Sequence, residues 1–155
     1  MTISRTNFLQ RIMKYCAEAE RSTHDVLTKL VSWGIPMEET EIILTKLRTE
    51  KFLDDNRFSH SYVKEKWNLD HWGKIKMAHA LQQKNIDEKT IDEALSRIGE
   101  EEYIQGLHEL LRKKLEEVKS DNKMEDARRV MMFALSRGFE EELIQEWLEK
   151  NGFDI

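Results

Sequence analysis

The chain has 155 residues, of which 35% are charged, and its formal net charge is −5 with the five histidines taken as neutral. One proline and six glycines are typical of long solvated helices and not of loop-rich β structure. The single cysteine, Cys16, excludes an internal disulfide. No N-terminal apolar segment resembles a signal peptide, and no apolar run approaches the roughly 20 residues of a membrane span. We therefore expect one cytoplasmic, all-α domain over residues 1–155.

Apolar spacing predicts nine helices in three triplets. Their approximate ranges are 6–20, 22–33, 38–51, 54–67, 74–84, 88–98, 100–119, 124–137 and 140–150. Ser22 with Asp25 three residues later predicts a capping box at the start of the second helix. Gly34 is placed to end that helix in a left-handed conformation. In the third helix, Ile42, Ile43 and Leu47 are expected to face inward.

The triplets repeat the same apolar pattern, each with a turn residue that tolerates a left-handed backbone. Those turn residues are Gly34, Asn85 and Gly138, and they lie 51 and 53 positions apart. A fixed period with helical content predicts a tandem array of three three-helix repeats, about 4–51, 54–98 and 100–150. We expect an elongated array whose stacking permits curvature, and arrays of this kind serve binding more often than catalysis.

The second triplet opens with the sharpest local signature of the chain, the run from Phe52 to Phe58. With Asp54 as N-cap, Leu53 and Phe58 occupy the two positions of a hydrophobic staple. Asp54 and Asp55 also lie where the helix dipole favours negative charge. Gly73 marks the break before the next helix. The run is therefore predicted to be structural.

Residues that would carry catalysis or bind a cofactor are sparse. The sequence has no phosphate-binding glycine loop, no paired cysteines, no His-Glu-x-x-His motif and no nucleophile elbow. The five histidines are scattered, without metal-ligand spacing. Asp54, Asp55 and His60 could form an acid–base group, but a helix start explains the aspartates. We expect no enzyme, no metal and no cofactor.

Five basic residues of the middle repeat are the candidate partner-binding residues: Arg57, Lys64, Lys66, Lys74 and Lys76. Lys64 lies seven residues after Arg57 and so on the same helical face, while Lys74 and Lys76 open the next helix. Trp67 and Trp72 lie among these lysines. Basic side chains interleaved with aromatics can bind nucleic acid. A solvated helix face with tryptophans in the core explains the same pattern.

Several motifs, read in order, resemble the bacterial RecX family of regulatory proteins. They are Arg21-Ser22 before Asp25-Val26, Gly34, Ile43 with Leu47, the Phe52-to-Phe58 run, Gly73 with Lys76, and Leu81 to Ile86. The resemblance is strong over residues 21–98 and continues more loosely through Arg137-Gly138-Phe139 and Trp147. Asn85 stands where the family usually has Gly, and Ser59 where Ala is usual.

The resemblance implies a function that composition does not show, namely modulation of the RecA recombinase. Family members are all-α proteins that bind in the groove of the RecA filament on single-stranded DNA and limit its assembly or activity. The acidic net charge favours contact with protein over strong binding to DNA alone. We expect a monomer. Two alternatives are a stand-alone helix-turn-helix DNA-binding protein and a generic helical adaptor.

Overall fold

A computed structural model describes residues 5–154, and every regular element in that part of the chain is an α-helix. The helices are α1 (Arg5–Glu18), α2 (Thr23–Ser32), α3 (Met37–Thr49), α4 (Asp55–Asn68), α5 (Lys74–Gln83), α6 (Glu88–Leu95), α7 (Glu100–Val118), α8 (Lys123–Ser136) and α9 (Glu141–Lys150). The predicted helix number and order are confirmed for the described residues, and each boundary agrees within three positions.

The described residues form two compact units. The first combines those up to Tyr62 with Leu81–Ala94, and the second combines Val63–Ala80 with those from Leu95 onward. In the first unit α2 packs against α1 and α3. Its core contains Ile12, Val26, Leu30, Ile35, Ile43, Leu44, Leu47 and Leu53. Each helix contributes one apolar stripe to this core, as its helical spacing requires.

One side chain of α3 differs from the sequence prediction. Ile42 was expected to face inward but is 50% exposed. The buried positions are Thr40, Ile43, Leu44 and Leu47, which follow the i, i+3, i+4, i+7 pattern of one helical face. Ile42 lies outside this buried face, and Leu44 is buried instead. Thr40 is tolerated inside because its hydroxyl donates to the carbonyl of Pro36 at 3.1 Å.

Two predicted helix starts are confirmed in atomic detail. At α2 the Ser22 hydroxyl accepts from the amide of Asp25, while the Asp25 carboxylate accepts from the amide of Ser22, both at 3.0 Å. At α4 the Asp54 carboxylate accepts from the amides of Asn56 and Arg57 at 2.9 and 3.1 Å. Both caps satisfy amides that a helix start leaves without intrahelical acceptors.

The second unit is built on α7, which packs against α8 and α9. Its buried apolar side chains include Leu107, Leu111, Val130, Ile144 and Leu148. The N-terminal end of α5 belongs to this unit and docks on the end of α8. There the Gly73 amide donates to the carbonyl of Arg137 at 2.6 Å, and the Ile75 amide donates to the carbonyl of Gly138 at 3.0 Å. A helix start and a helix end thereby satisfy each other's backbone groups.

Candidate partner-binding surface

Lys66 and Lys76 of the predicted basic set meet at one aromatic ring. The Lys66 ammonium lies 4.8 Å from the centroid of a Trp72 ring, and that of Lys76 lies 4.5 Å from it. Lys66 also pairs with Asp70 at 3.3 Å, and Lys76 donates to the carbonyl of Ser136 at 3.4 Å. The indole attracts both cations. With Asp70 counted, these three charged groups give the turn between α4 and α5 a net positive charge.

Lys74 takes part in a separate polar cluster of the second unit. Its amide donates to the Tyr103 hydroxyl at 3.0 Å, and its ammonium lies 4.8 Å from the Tyr103 ring. The Tyr103 hydroxyl donates in turn to the Glu140 carboxylate at 2.5 Å. Burial first, and then this carboxylate, raise the pKa of Tyr103 far above its usual range. Tyr103 therefore stays a neutral donor that connects α5, α7 and the residue before α9.

The two remaining basic residues, Lys64 and Arg57, lie on α4 but in different units. Lys64 is exposed in the second unit. Arg57 is in the first unit, where its guanidinium bonds the Glu20 carboxylate at 2.6 Å and the carbonyls of Lys51 and Phe52 at 3.1 and 3.4 Å. Arg57 thus has a structural role. That it also binds a partner stays a prediction.

The Phe52-to-Phe58 signature has a structural function in the first unit. Leu53 and Phe58 are both buried, as a hydrophobic staple requires. Asp55, the second aspartate, accepts a hydrogen bond at 2.7 Å from the amide of Thr23, the first residue of α2. One aspartate therefore caps its own helix while its neighbour caps another. The sequence predicted the first contact but could not assign the second.

A further ion pair in the first unit connects the capping box to the middle repeat. The Lys84 ammonium lies 2.5 Å from the Asp25 carboxylate and 5.6 Å from the Phe58 ring. Burial raises the pKa of Asp25, but the hydrogen bonds from Lys84 and Ser22 outweigh it and leave that pKa below its usual value. The sequence places Lys84 only within the Leu81-to-Ile86 segment and assigns it no partner. Sequence spacing gives no signal for a pair 59 positions apart.

Three polar residues of the second unit, Tyr103, Arg137 and Glu140, form contacts that spacing along the sequence does not indicate. Tyr103 donates to Glu140, 37 positions away. Arg137, named above only as part of a motif, donates to the carbonyl of Asp70 at 2.9 Å. Trp67 packs with Tyr103 and Phe139 in an aromatic cluster, with ring centroids 5.3 to 6.3 Å apart. In the sequence these residues share one feature: each is an aromatic or charged residue beside a helix terminus.

No group of three or more His, Cys, Asp and Glu side chains in residues 5–154 is arranged to hold a metal ion. In the same residues no helix combines the length and apolar character that crossing a bilayer requires.

The fold is that of an all-α protein of three-helix units. Comparison with known proteins assigns its family. The family model for the second three-helix domain of RecX matches residues 54–95. The model for the third three-helix domain of RecX matches residues 100–148. The chain belongs to the RecX family of regulatory proteins.

Relatives and solved structures agree with this assignment. The chain is 27% identical over 155 residues to "Regulatory protein RecX" of Clostridium acetobutylicum, covering 96% of this chain and 72% of that protein. It is 29% identical over 129 residues to the protein of the same name from Limosilactobacillus reuteri, covering 83% of this chain and 49% of the relative. The chain thus spans only about half the length of some relatives.

Two crystal structures share the fold. A "regulatory protein RecX" matches with a TM-score of 0.84 at 26% identity, covering 94% of this chain and 71% of the other. RecX from Lactobacillus salivarius matches with a TM-score of 0.83 at 20% identity, covering 94% of this chain and 95% of the other. The predicted all-α fold and the predicted family are therefore confirmed.

Proposed function

We propose that this protein regulates the RecA recombinase by binding in the groove of the RecA filament on single-stranded DNA and limiting its assembly or activity. Membership of the RecX family carries the proposal. Such a regulator acts in the cytoplasm, on DNA repair, recombination and the SOS response. It binds and does no chemistry of its own, so it needs no cofactor.

The arrangement of charge supports a protein partner that carries nucleic acid. The whole chain has a net charge of −5, which opposes tight binding to DNA alone because phosphates and carboxylates repel each other. Lys66 and Lys76 nevertheless concentrate positive charge at Trp72. A local cationic site on an acidic protein favours acidic patches of RecA or phosphates already held within the filament.

The three-repeat organisation supplies the second argument. Repeats at about 4–51, 54–98 and 100–150 would offer several separate contact regions to a partner that is itself a polymer. Weak contacts to successive protomers then add avidity without a deep pocket. The exposed ion pairs at such a surface each contribute only about 0–1 kcal/mol, so they serve specificity more than affinity.

Filament assembly on single-stranded DNA tests the proposal. RecA is allowed to polymerise while this protein is titrated, and filament growth is followed by light scattering or single-filament imaging. We expect growth to slow as the protein approaches a fixed ratio to RecA. The same titration without RecA measures affinity for DNA alone. Steep, salt-dependent DNA binding without any effect on RecA would favour the helix-turn-helix alternative instead.

A further inference from the structure

The second unit contains an open groove beside Trp67 that the proposed function does not use. Its volume is about 590 Å³. Side chains of Trp67 and Leu110 contribute apolar surface, and Gly106 of α7 also lines the groove. All of these residues belong to the second unit. We call this feature the Trp67 groove.

The groove owes its form to the position of the Trp67 indole. A Cβ atom on Gly106 would lie 2.6 Å from the indole Cη2 atom, so only glycine lets the ring lie against α7. The indole N–H donates to the Glu102 carboxylate at 3.3 Å, and the ring packs on Tyr103 at a centroid distance of 5.3 Å. These contacts hold Trp67 in place, while its side chain remains partly exposed to the groove.

The rim of the groove is acidic. Glu101, Glu102 and Glu109 line it, against one ammonium group, that of Lys113. Lys113 lies 3.4 Å from Glu109, with both side chains at least 60% exposed, and pairs of that kind exchange readily for other partners. An aromatic, partly apolar floor with carboxylates around it repels phosphate. The same floor and rim attract a cationic side chain that can also lie over the face of an aromatic ring.

We propose that the Trp67 groove binds a segment of the partner protein in which a lysine or arginine side chain stands next to an apolar side chain. The cation lies against the Trp67 indole, where the charges of Glu101 and Glu109 along α7 attract it, and the apolar side chain covers Leu110. The inference rests on the proposed function in assigning that segment to RecA. It adds a second contact of opposite charge to the lysines at Trp72.

Binding of short peptides tests the groove without RecA. The probes are a capped hexapeptide of alternating lysine and leucine and its glutamate–leucine counterpart. The readout is the Trp67 indole N–H signal in a proton–nitrogen spectrum, assigned with a Trp67→Phe variant. We expect the cationic peptide to move this signal and the backbone signals of Gly106 and Leu110, and the anionic peptide to leave them unchanged.

Two charge-matched double variants give the control. Glu101→Gln with Glu109→Gln should weaken cationic-peptide binding by about fivefold, as expected for two exposed charges. Glu141→Gln with Glu142→Gln, which removes two exposed charges from the first turn of α9, should change it less than about twofold. An unmoved indole signal, equal response to both peptides, or equal weakening by both variants would overturn the proposal.

The filament assay separates this inference from the proposed function. If the wild-type protein slows RecA filament growth and the Glu101/Glu109 variant slows it equally, RecA does not occupy the groove and the inference fails, while the proposed function stands. If the wild-type protein has no effect on RecA, the proposed function fails. The peptide titration then decides alone whether the groove takes a cationic segment.

Discussion

Gly73, in the turn before α5, lies directly on the backbone of Gly138, in the turn that follows α8. A Cβ atom on Gly73 would overlap the carbonyl oxygen of Gly138, and one on Gly138 would overlap Lys76, whose amide nitrogen lies 2.6 Å from that Cβ position. Gly138 also has a φ of 90°, which L side chains rarely adopt. Two glycines far apart in the chain thus form one close backbone contact.

Gly138→Ala should therefore destabilise the protein by at least about 1–3 kcal/mol, since strain and overlap act together. Gly73→Ala should also destabilise the protein, in this case through the overlap alone. The control is Gly99→Ala, because Gly99 has a φ of −60° and a Cβ there would meet only the Glu102 Cβ at 4.0 Å. Urea unfolding of the three variants measures the difference. Equal stability of all three would contradict the contact.

Ser59→Ala should stabilise the protein. Ser59 is fully buried, and its hydroxyl oxygen has no hydrogen-bond partner among the described residues. An unsatisfied buried hydroxyl costs about 1–3 kcal/mol, and the RecX pattern usually has alanine at this position. Ser61→Ala, at an exposed site of the same helix, controls for helix propensity. A thermal melt in which Ser61→Ala gains as much as Ser59→Ala would remove the argument.

The Asp54-to-Phe58 turn should respond to mutation as a structural element. Phe58→Ala should cost about 3–5 kcal/mol because its ring is 6% exposed. Asp54→Ala should cost about 0.5–2 kcal/mol through loss of the α4 cap. Denaturant unfolding measures both. If both variants melted like the wild type but lost their effect on RecA, the turn would be a contact site.

The Asp25 carboxylate should make the free energy of unfolding depend on pH in the acid range. The pKa of Asp25 is lower in the folded protein than its usual value. Its contribution is therefore present above about pH 4 and is lost as the pH falls through the folded-state pKa. Asp25→Asn should cost about 1 kcal/mol at pH 7, after allowance for solvent screening of the Lys84 pair.

Melting temperatures from strongly acid to neutral pH check this prediction. The curves for the wild type and Asp25→Asn should approach each other at the acid end and diverge toward neutrality. Asp92→Asn, at an exposed carboxylate of α6, should follow the wild type throughout. A constant gap between the Asp25→Asn and wild-type curves would mean that the carboxylate charge contributes nothing.

Reversing the basic set tests the predicted partner surface. Lys64, Lys66, Lys74 and Lys76, all changed to Glu, should strongly weaken the effect on RecA filament growth. The variant also loses the contacts of the Lys66 and Lys76 ammonium groups with the Trp72 ring and of Lys74 with the Tyr103 ring, each worth about 0.5–1 kcal/mol. Filament growth is therefore compared at a temperature at which melting curves show the variant to be folded. Lys14, Lys89, Arg97 and Lys119, all exposed, changed to Glu give the same charge change elsewhere. If the first variant still slowed RecA filament growth as the wild type does, partner binding would belong to other residues.

Local signals explain why so much of the fold could be predicted. Helix number, the Ser22–Asp25 capping box, the Asp54 cap and the left-handed turns at Gly34, Asn85 and Gly138 all depend on residues within about four positions of each other. The inward assignment of Ile42 failed because three consecutive apolar residues, Ile42 to Leu44, fit two helical faces. Only packing against α2 selected one of them.

The sequence alone determined the elements, their caps, the apolar stripes and the family resemblance, because these follow from short-range spacing and order. Tertiary structure alone decided which distant groups meet: Lys84 with Asp25, Asp55 with the start of α2, Gly73 with Gly138, and two lysines at Trp72. No periodicity encodes such contacts, since each arises when helices that are far apart in the chain pack and bring their termini and side chains together.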